Sequence, residues 1–172
     1  MIYLLQVFIF LLVLNTTDTF GNETEGNITW RRIELGIYTD SVSSNIVEFE
    51  FFDGLTFYGA TYLENNNSLS HYSNGSKHII VLENLIPNGD GTNKSTIIDM
   101  IEVTGLSKNQ HISYGFCSVK DVNDIEIITV YEFENTEEFT KIHKAWRANR
   151  KDGQIIEINT EGISCINLDF GA

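Results

Sequence analysis

The amino-acid sequence predicts a mostly β fold built from antiparallel strands. Several segments alternate apolar and polar residues with the period of two that is typical of half-buried strands. Short runs of Asp, Asn and Gly, which favour turns, separate these segments. Helical patterns do not alternate with the strand patterns, which argues against a parallel α/β sheet.

The first predicted hairpin lies near the start of the domain. Residues 46–51 alternate cleanly, and residues 55–63 follow across Asp53-Gly54, a dipeptide typical of hairpin turns. These two segments are therefore expected to pair. The polar run 64–77 that follows is interpreted as a loop.

A second hairpin is predicted in the middle of the chain. Residues 111–119 and 125–133 carry strand patterns on either side of the polar segment 120–124. Other strands are predicted at residues 78–82, 96–103, 154–159 and 163–168.

One segment near the C-terminus has the pattern of an amphipathic helix, predicted over residues 137–150. Thr136 is an N-cap candidate, acidic residues follow it and cationic residues come later, an order that complements a helix dipole. Phe139, Ile142 and Trp146 would share one face of this helix.

The start of the chain is typical of a secretory leader. The apolar run from Ile2 to Leu14 is shorter than the roughly 20 residues that a membrane-spanning helix needs. Residues 1–21 are therefore predicted to be a signal peptide cleaved after Gly21, leaving residues 22–172 as a single secreted, extracellular domain. No second long apolar run follows, so no membrane span is expected.

Composition limits the partners that the domain is expected to bind. Asp and Glu number 24 against 11 Lys and Arg, which gives a formal net charge of −13. Such a charge repels phosphate backbones, so nucleic acid is not an expected ligand, whereas basic proteins and cationic small molecules are attracted. The cationic row Lys141, Lys144, Arg147, Arg150 and Lys151 is interpreted as a solvated helix face or as a surface for sulfated glycans or an acidic partner.

Five Asn-x-Ser/Thr sequons behind a leader predict a glycoprotein. They lie at Asn22, Asn27, Asn66, Asn74 and Asn93. In the oxidising secretory route, Cys117 and Cys165 are expected to form one disulfide.

The motifs of common catalytic and metal sites are missing from the sequence. It contains no nucleophile elbow, phosphate-binding loop or zinc-protease motif, and its cysteines and histidines do not have metal-ligand spacing. The four histidines are scattered at His71, His78, His111 and His143. The protein is therefore predicted to be a non-enzymatic binding protein that has no cofactor and no metal.

The order of the elements resembles that of a lipocalin. Gly26 and Trp30 stand at the start of the mature chain, where lipocalins carry a Gly-x-Trp motif, and the late hairpin, helix and strand with Cys165 follow in a similar order. This resemblance implies an antiparallel β-barrel with one C-terminal helix. An alternative resemblance is to a βγ-crystallin Greek-key β-sandwich, since residues 52–59 read Phe-Asp-Gly-Leu-Thr-Phe-Tyr-Gly, like the aromatic corner of that fold.

A lipocalin-like barrel would have room for one small apolar or cationic ligand. Aromatic residues on alternating strand positions would line its interior, although packing of the core explains them equally well. With the motif tryptophan, the candidates are Trp30, Phe49, Phe51, Phe57, Tyr114, Phe116, Tyr131 and Phe133.

The leader, the dense sequons and the Asn- and Ile-rich composition are similar in style to secreted egg glycoproteins of schistosomes of the kind called kappa-five. This resemblance implies an alternative function as a parasite egg antigen or immunomodulator. Such a protein would act through its surface and its N-glycans on host immune proteins, namely receptors, antibodies or cytokines. The oligomeric state is left open by the sequence.

Overall fold

Antiparallel β-strands form the regular structure of the chain, as the sequence predicts. The computed structural model describes residues 27–33, 52–89 and 93–171. Their strands are β1 (Thr29–Arg32), β2 (Thr56–Tyr62), β3 (Asn67–Ser73), β4 (Lys77–Pro87), β5 (Asn93–Thr104), β6 (Gln110–Tyr114), β7 (Cys117–Val119), β8 (Val122–Asn123), β9 (Ile127–Glu132), β10 (Glu138–Phe139), β11 (Ile142–Asn149), β12 (Gln154–Ile158) and β13 (Ile163–Ile166).

The strands assemble into three sheets. Sheet A has the order β1-β5-β4-β3-β2, sheet B has the order β12-β11-β9-β6, and sheet C has the order β10-β13-β7-β8. Neighbouring strands run antiparallel in each sheet. None of the described segments forms a helix with the length and apolar character needed to span a membrane.

Sheets A and B share an apolar layer. Ile80 and Ile101 of sheet A belong to the same buried cluster as Val130 and Trp146 of sheet B. Trp146 is fully buried, and Trp30 contacts it edge-on with 5.9 Å between the ring centroids. Two sheets that bury their facing apolar sides in this way are compatible with a β-sandwich.

The opposite side of sheet B packs against sheet C. Ile127 and Ala145 of sheet B join Phe139 and Ile163 of sheet C in a second buried cluster. This cluster also contains Cys117 and Cys165, which lie opposite each other on β7 and β13 and form the disulfide that the sequence predicts.

The helix predicted at residues 137–150 is wrong, because this segment forms β10 and β11. β11 lies between β9 and β12, so both of its edges are hydrogen-bonded. Trp146 enters the layer shared with sheet A, whereas Ala145 enters the cluster shared with sheet C. Burial on both faces of a central strand outweighs the helical charge order, since local propensities are worth less than tertiary packing.

A closed lipocalin-like barrel is not found among the described strands, which form three separate open sheets. The segment predicted to form one hairpin over residues 111–133 is divided between two of these sheets. β6 does pair with β9, but the chain leaves sheet B at Gly115 and forms β7 and β8 in sheet C before it returns. Gly115 has a φ of 81°, a left-handed conformation that favours glycine.

The run 64–77, expected to be a loop, contains a complete strand. All seven residues of β3 are buried between β2 and β4, although the strand reads Asn-Ser-Leu-Ser-His-Tyr-Ser. Its polar side chains find partners, and Ser70 donates a hydrogen bond to the buried Glu83. The expected partner of β2, residues 46–51, lies outside the described residues, and β2 pairs with β3 instead.

The disulfide is expected to contribute strongly to stability. Its half-cystines are 48 residues apart. Replacing both with serine (C117S/C165S) should lower the free energy of unfolding by about 4 kcal/mol, because the unfolded chain gains the entropy that the crosslink removes. Urea unfolding followed by tryptophan fluorescence measures this change.

Reduction provides the control for that double replacement. Reductant should shift the wild-type midpoint towards that of the C117S/C165S variant and should leave the variant unchanged. Equal midpoints for oxidised and reduced wild type would contradict the expected stabilisation.

Candidate functional site

Two adjoining clefts border β6, the edge strand of sheet B. The first cleft has a volume of about 450 Å³ and lies against the β3–β4 end of sheet A. The second has a volume of about 310 Å³ and lies on the sheet C side. His111, Ile112 and Tyr131 line both clefts, so the two clefts adjoin at this strand.

Imidazole and phenol rings form much of the first cleft. His71 lies diagonally across the β3–β4 pair from His78, and 3.1 Å separates His71 Nε2 from His78 Nδ1. The His71 ring also contacts Tyr58 and meets Tyr114 edge-on, with centroid distances of 5.3 and 5.6 Å. Tyr58 is exposed, so it forms the outer rim of this group.

Burial keeps the paired imidazoles of this cleft neutral. The pKa of His71 is lowered to about 4, first by burial and second by the nearby His78. The pKa of His78 is also lowered, mainly by burial and to a lesser extent by His111, while a hydrogen bond to the Gly75 backbone opposes the change. Near neutral pH, both rings can therefore donate or accept hydrogen bonds without a charge.

A tight turn between β3 and β4 positions this histidine pair. The Asn74 Oδ1 atom accepts hydrogen bonds from the backbone N–H groups of Ser76 and Lys77. Gly75 has a φ of 87°, which glycine adopts without strain. The turn brings Ser73 opposite His78, so the histidines on the two strands meet.

Phenyl rings and aliphatic side chains line much of the second cleft. Tyr131 stacks on Phe139 with 4.1 Å between the ring centroids, and Phe133 contacts Phe139 at 5.9 Å. Phe133 is 53 % exposed and Leu168 is 65 % exposed, so apolar surface remains open to solvent here.

One carboxylate stands among the residues that line the second cleft. Asp169 is exposed and close enough to influence Tyr131, whose pKa is raised first by burial and second by the Asp169 charge. An exposed carboxylate beside aromatic faces can attract a cation to this cleft.

The sequence-predicted ligand residues divide between several places. Tyr114 lines the first cleft, Tyr131 lines both, and Phe116 and Phe133 line the second. The other four do not meet them in the described structure. Trp30 packs against Trp146 and donates a hydrogen bond to Glu157, Phe57 contacts Tyr72, and Phe49 and Phe51 lie outside the described residues.

Several cleft residues are missed by the sequence reasoning. His71 and His78 look unrelated in the sequence, but they flank the Asn-Gly turn at residues 74–75, the one local signal that could have placed them on facing strands. Phe139 was assigned to a helix face, and Tyr58 and His111 carried no distinguishing signal.

The cationic row does not form a helix face. Lys141 Nζ lies 2.6 Å from Glu132 Oε2, Lys144 Nζ lies 2.6 Å from Glu157 Oε1, and Arg150 pairs with Glu126. Arg147 pairs in the same way with Asp124. These contacts pair four of the five cations of the row with carboxylates of the chain, and Lys151 is exposed.

No metal centre is formed by the described part of the chain. Within residues 27–33, 52–89 and 93–171, no three His, Cys, Asp or Glu side chains come together as metal ligands would.

Comparison of the chain with protein-family models, curated proteins and solved structures gives no match.

The buried His71 should make stability depend on pH. The imidazole has an ordinary pKa of 6.5 when exposed and about 4 in the folded chain. As the pH falls from about 6.5 towards 4, the unfolded chain binds a proton that the folded chain does not. The free energy of unfolding should therefore fall by at most about 3 kcal/mol over this range.

The His71→Gln variant tests this dependence, because glutamine keeps a polar side chain but does not titrate. Urea unfolding between pH 7.5 and 4 should show a shallower loss of stability for H71Q than for wild type. Carboxylates titrate in both proteins, so the difference between the two curves isolates His71. Parallel curves would show that burial of this imidazole does not control the pH dependence.

Proposed function

We propose that this protein is a non-enzymatic binding protein that holds a small apolar or cationic ligand in the two clefts beside β6. One observation carries the proposal, namely a pair of adjoining, solvent-accessible clefts lined by aromatic rings on both sides of one edge strand. Ligand sites are commonly concave, largely apolar and equipped with a few polar groups. The clefts take the place of the barrel interior that the lipocalin resemblance implies, in a fold that we infer to be a β-sandwich.

The second cleft supports a ligand with an aromatic or aliphatic body and a cationic group. The exposed ring of Phe133 offers apolar and cation–π contacts beside Tyr131, and Asp169 supplies a negative charge. The net charge of −13 adds a long-range attraction for such a ligand.

We also propose export and N-glycosylation. The four described sequon asparagines, Asn27, Asn66, Asn74 and Asn93, are all exposed. They lie at or beside the ends of sheet A strands, where a glycan does not interrupt the strand pairing. Residues 94–172 contain no sequon, so the glycans would gather on sheet A and leave sheets B and C uncovered.

The position of the sequons also favours the second candidate function, in which glycans on sheet A engage host immune proteins. The second cleft has no sequon asparagine among its lining residues, whereas Asn74 adjoins Ser73 and Gly75 of the first cleft. Enzymatic deglycosylation separates the two functions, because binding in the second cleft should survive and only the glycan-dependent function should be lost.

Expression in animal cells tests the proposed export and glycosylation. The secreted product should begin at Asn22 and should lose mass on treatment with peptide N-glycosidase. The N66Q/N74Q/N93Q variant should lose less mass on the same treatment, whereas N65Q, a neighbour outside any sequon, should behave as wild type. An intracellular product with an intact leader and no carbohydrate would overturn this proposal.

Phenethylamine and phenethyl alcohol test the role of Asp169 in the second cleft. The two ligands share an aromatic body, but only the amine carries a charge. Asp169→Asn should weaken binding of the amine by about threefold, since an exposed ion pair contributes modestly, and should leave binding of the alcohol unchanged. Titration calorimetry at low salt measures both affinities.

Asp152→Asn is the matched control for that replacement, because Asp152 is exposed on the β11–β12 turn and is not among the cleft residues. It removes the same net charge and should leave both affinities close to those of wild type. Equal losses for amine and alcohol in D169N would show that Asp169 does not recognise the cation.

A further inference from the structure

The outer edge of β6 carries unpaired backbone groups. Phe133 donates its backbone N–H to the Asn109 carbonyl, and Gly115 donates to the Ile127 carbonyl. In an antiparallel ladder this register directs the backbone of His111 and Ser113 towards β9 and that of Ile112 and Tyr114 away from it. The outward N–H and C=O groups of Ile112 and Tyr114 have no partner in the described part of the chain.

The opposite edge of the same sheet is closed. On β12, the outward backbone N–H of Ile155 donates to Asp99 Oδ2 at 2.7 Å, and its C=O accepts from Arg32 at 2.8 Å. Asp99 and Arg32 also form a salt bridge at 3.3 Å. Side chains that occupy an edge in this way prevent another strand from pairing there. Sheet B is therefore protected along β12, whereas the outward backbone groups of β6 are unpaired among the described residues.

Pockets of different chemistry flank the open edge. Ile112 and Tyr114 pack on the side of the layer shared with sheet A, and Tyr114 lines the first cleft but not the second. By strand alternation, His111 and Ser113 point to the other side. Ser113 lines the second cleft but not the first, whereas His111 and Ile112 border both. An extended chain laid along β6 would project its alternate side chains into these two clefts.

The geometry points to β6 as a docking edge for an extended peptide segment of a partner protein, with apolar side chains next to basic ones. The peptide would add a fifth strand to sheet B, bonded to the outward groups of Ile112 and Tyr114. This inference rests on the proposed function, since it names the ligand class of the same clefts. The net charge of −13 and the carboxylate of Asp169 favour a basic peptide, and the same charge opposes pairing with a second copy of this chain.

N-methylated peptides test the backbone pairing. The probe is the capped, fluorophore-labelled pentapeptide Lys-Phe-Thr-Phe-Lys, in which the two Phe side chains project on one side of an extended chain. One derivative is methylated on both Phe nitrogens, and its matched control is methylated on the nitrogens of Thr and the last Lys. Alternate amides of an added strand face β6, so only one of the two methylation patterns removes N–H groups that bond to it. The affinity of that derivative should be at least about tenfold lower than that of the parent peptide, and the affinity of the other should stay within about threefold.

Amide hydrogen exchange, followed by NMR on the whole chain, locates the added strand. Saturating peptide should slow exchange at Ile112 and Tyr114 and should leave His111 and Ser113 unchanged, because their N–H groups are already directed towards β9. Slowing confined to other strands would overturn the assignment to β6.

Several outcomes contradict the docking edge and remain distinct from failure of the proposed function. Equal effects of the two methylation patterns, or no binding of the parent peptide at millimolar concentration, overturn the docking edge. If the peptide fails to bind but phenethylamine binds, the clefts keep their proposed small-ligand role. If the peptide binds but phenethylamine does not, the result tells against the small-ligand function and leaves the docking edge in place. A molar mass from light scattering equal to two chains, with Ile112 already protected in the absence of peptide, would assign the edge to a second copy.

Discussion

The burial of Trp146 between sheets A and B is the interaction on which the rest of the structure depends. Enclosing a side chain of this size contributes on the order of 4–6 kcal/mol. The indole N–H has no hydrogen-bond partner among the described residues, which costs about 1–3 kcal/mol, so apolar burial outweighs the lost hydrogen bond. Because β11 carries this residue, its packing fixes β9 and β12 beside it, and β9 in turn positions β6 between the two clefts.

The strands that the sequence predicted correctly are those whose pattern and environment agree. β5 and β9 read as runs of β-branched residues and are buried as such. β3 could not be found in this way, because its serines and histidine are satisfied by neighbouring strands that no local pattern reveals. In β11 the local signal pointed to a helix, while cross-strand pairs such as Lys144 with Glu157 used the same charges in a sheet.

Among the residues that the sequence singles out, the disulfide was predictable because residue type alone determines which side chains can form it. A chain with two cysteines has one possible intramolecular disulfide, and Cys117 and Cys165 form it. The aromatic residues were harder to assign, since a strand pattern shows alternation but does not show which face borders a cleft. Tyr114 and Tyr131 therefore lie in the clefts, whereas Trp30 became part of the core. The histidine pair depends on the β3–β4 register, which appears only in the folded chain.

Two glycines determine how closely β2 approaches β6 beside the first cleft. A methyl group on Gly59 would lie 3.1 Å from the Tyr114 hydroxyl, and one on Gly115 would lie 2.6 Å from Thr61 Oγ1. The distance between β2 and β6 beside the cleft thus depends on the absence of a side chain at these two positions. A lineage could retune the width of the cleft by exchanging Gly59, while every ring that lines the cavity stayed the same, whereas the left-handed φ of 81° holds position 115 as glycine.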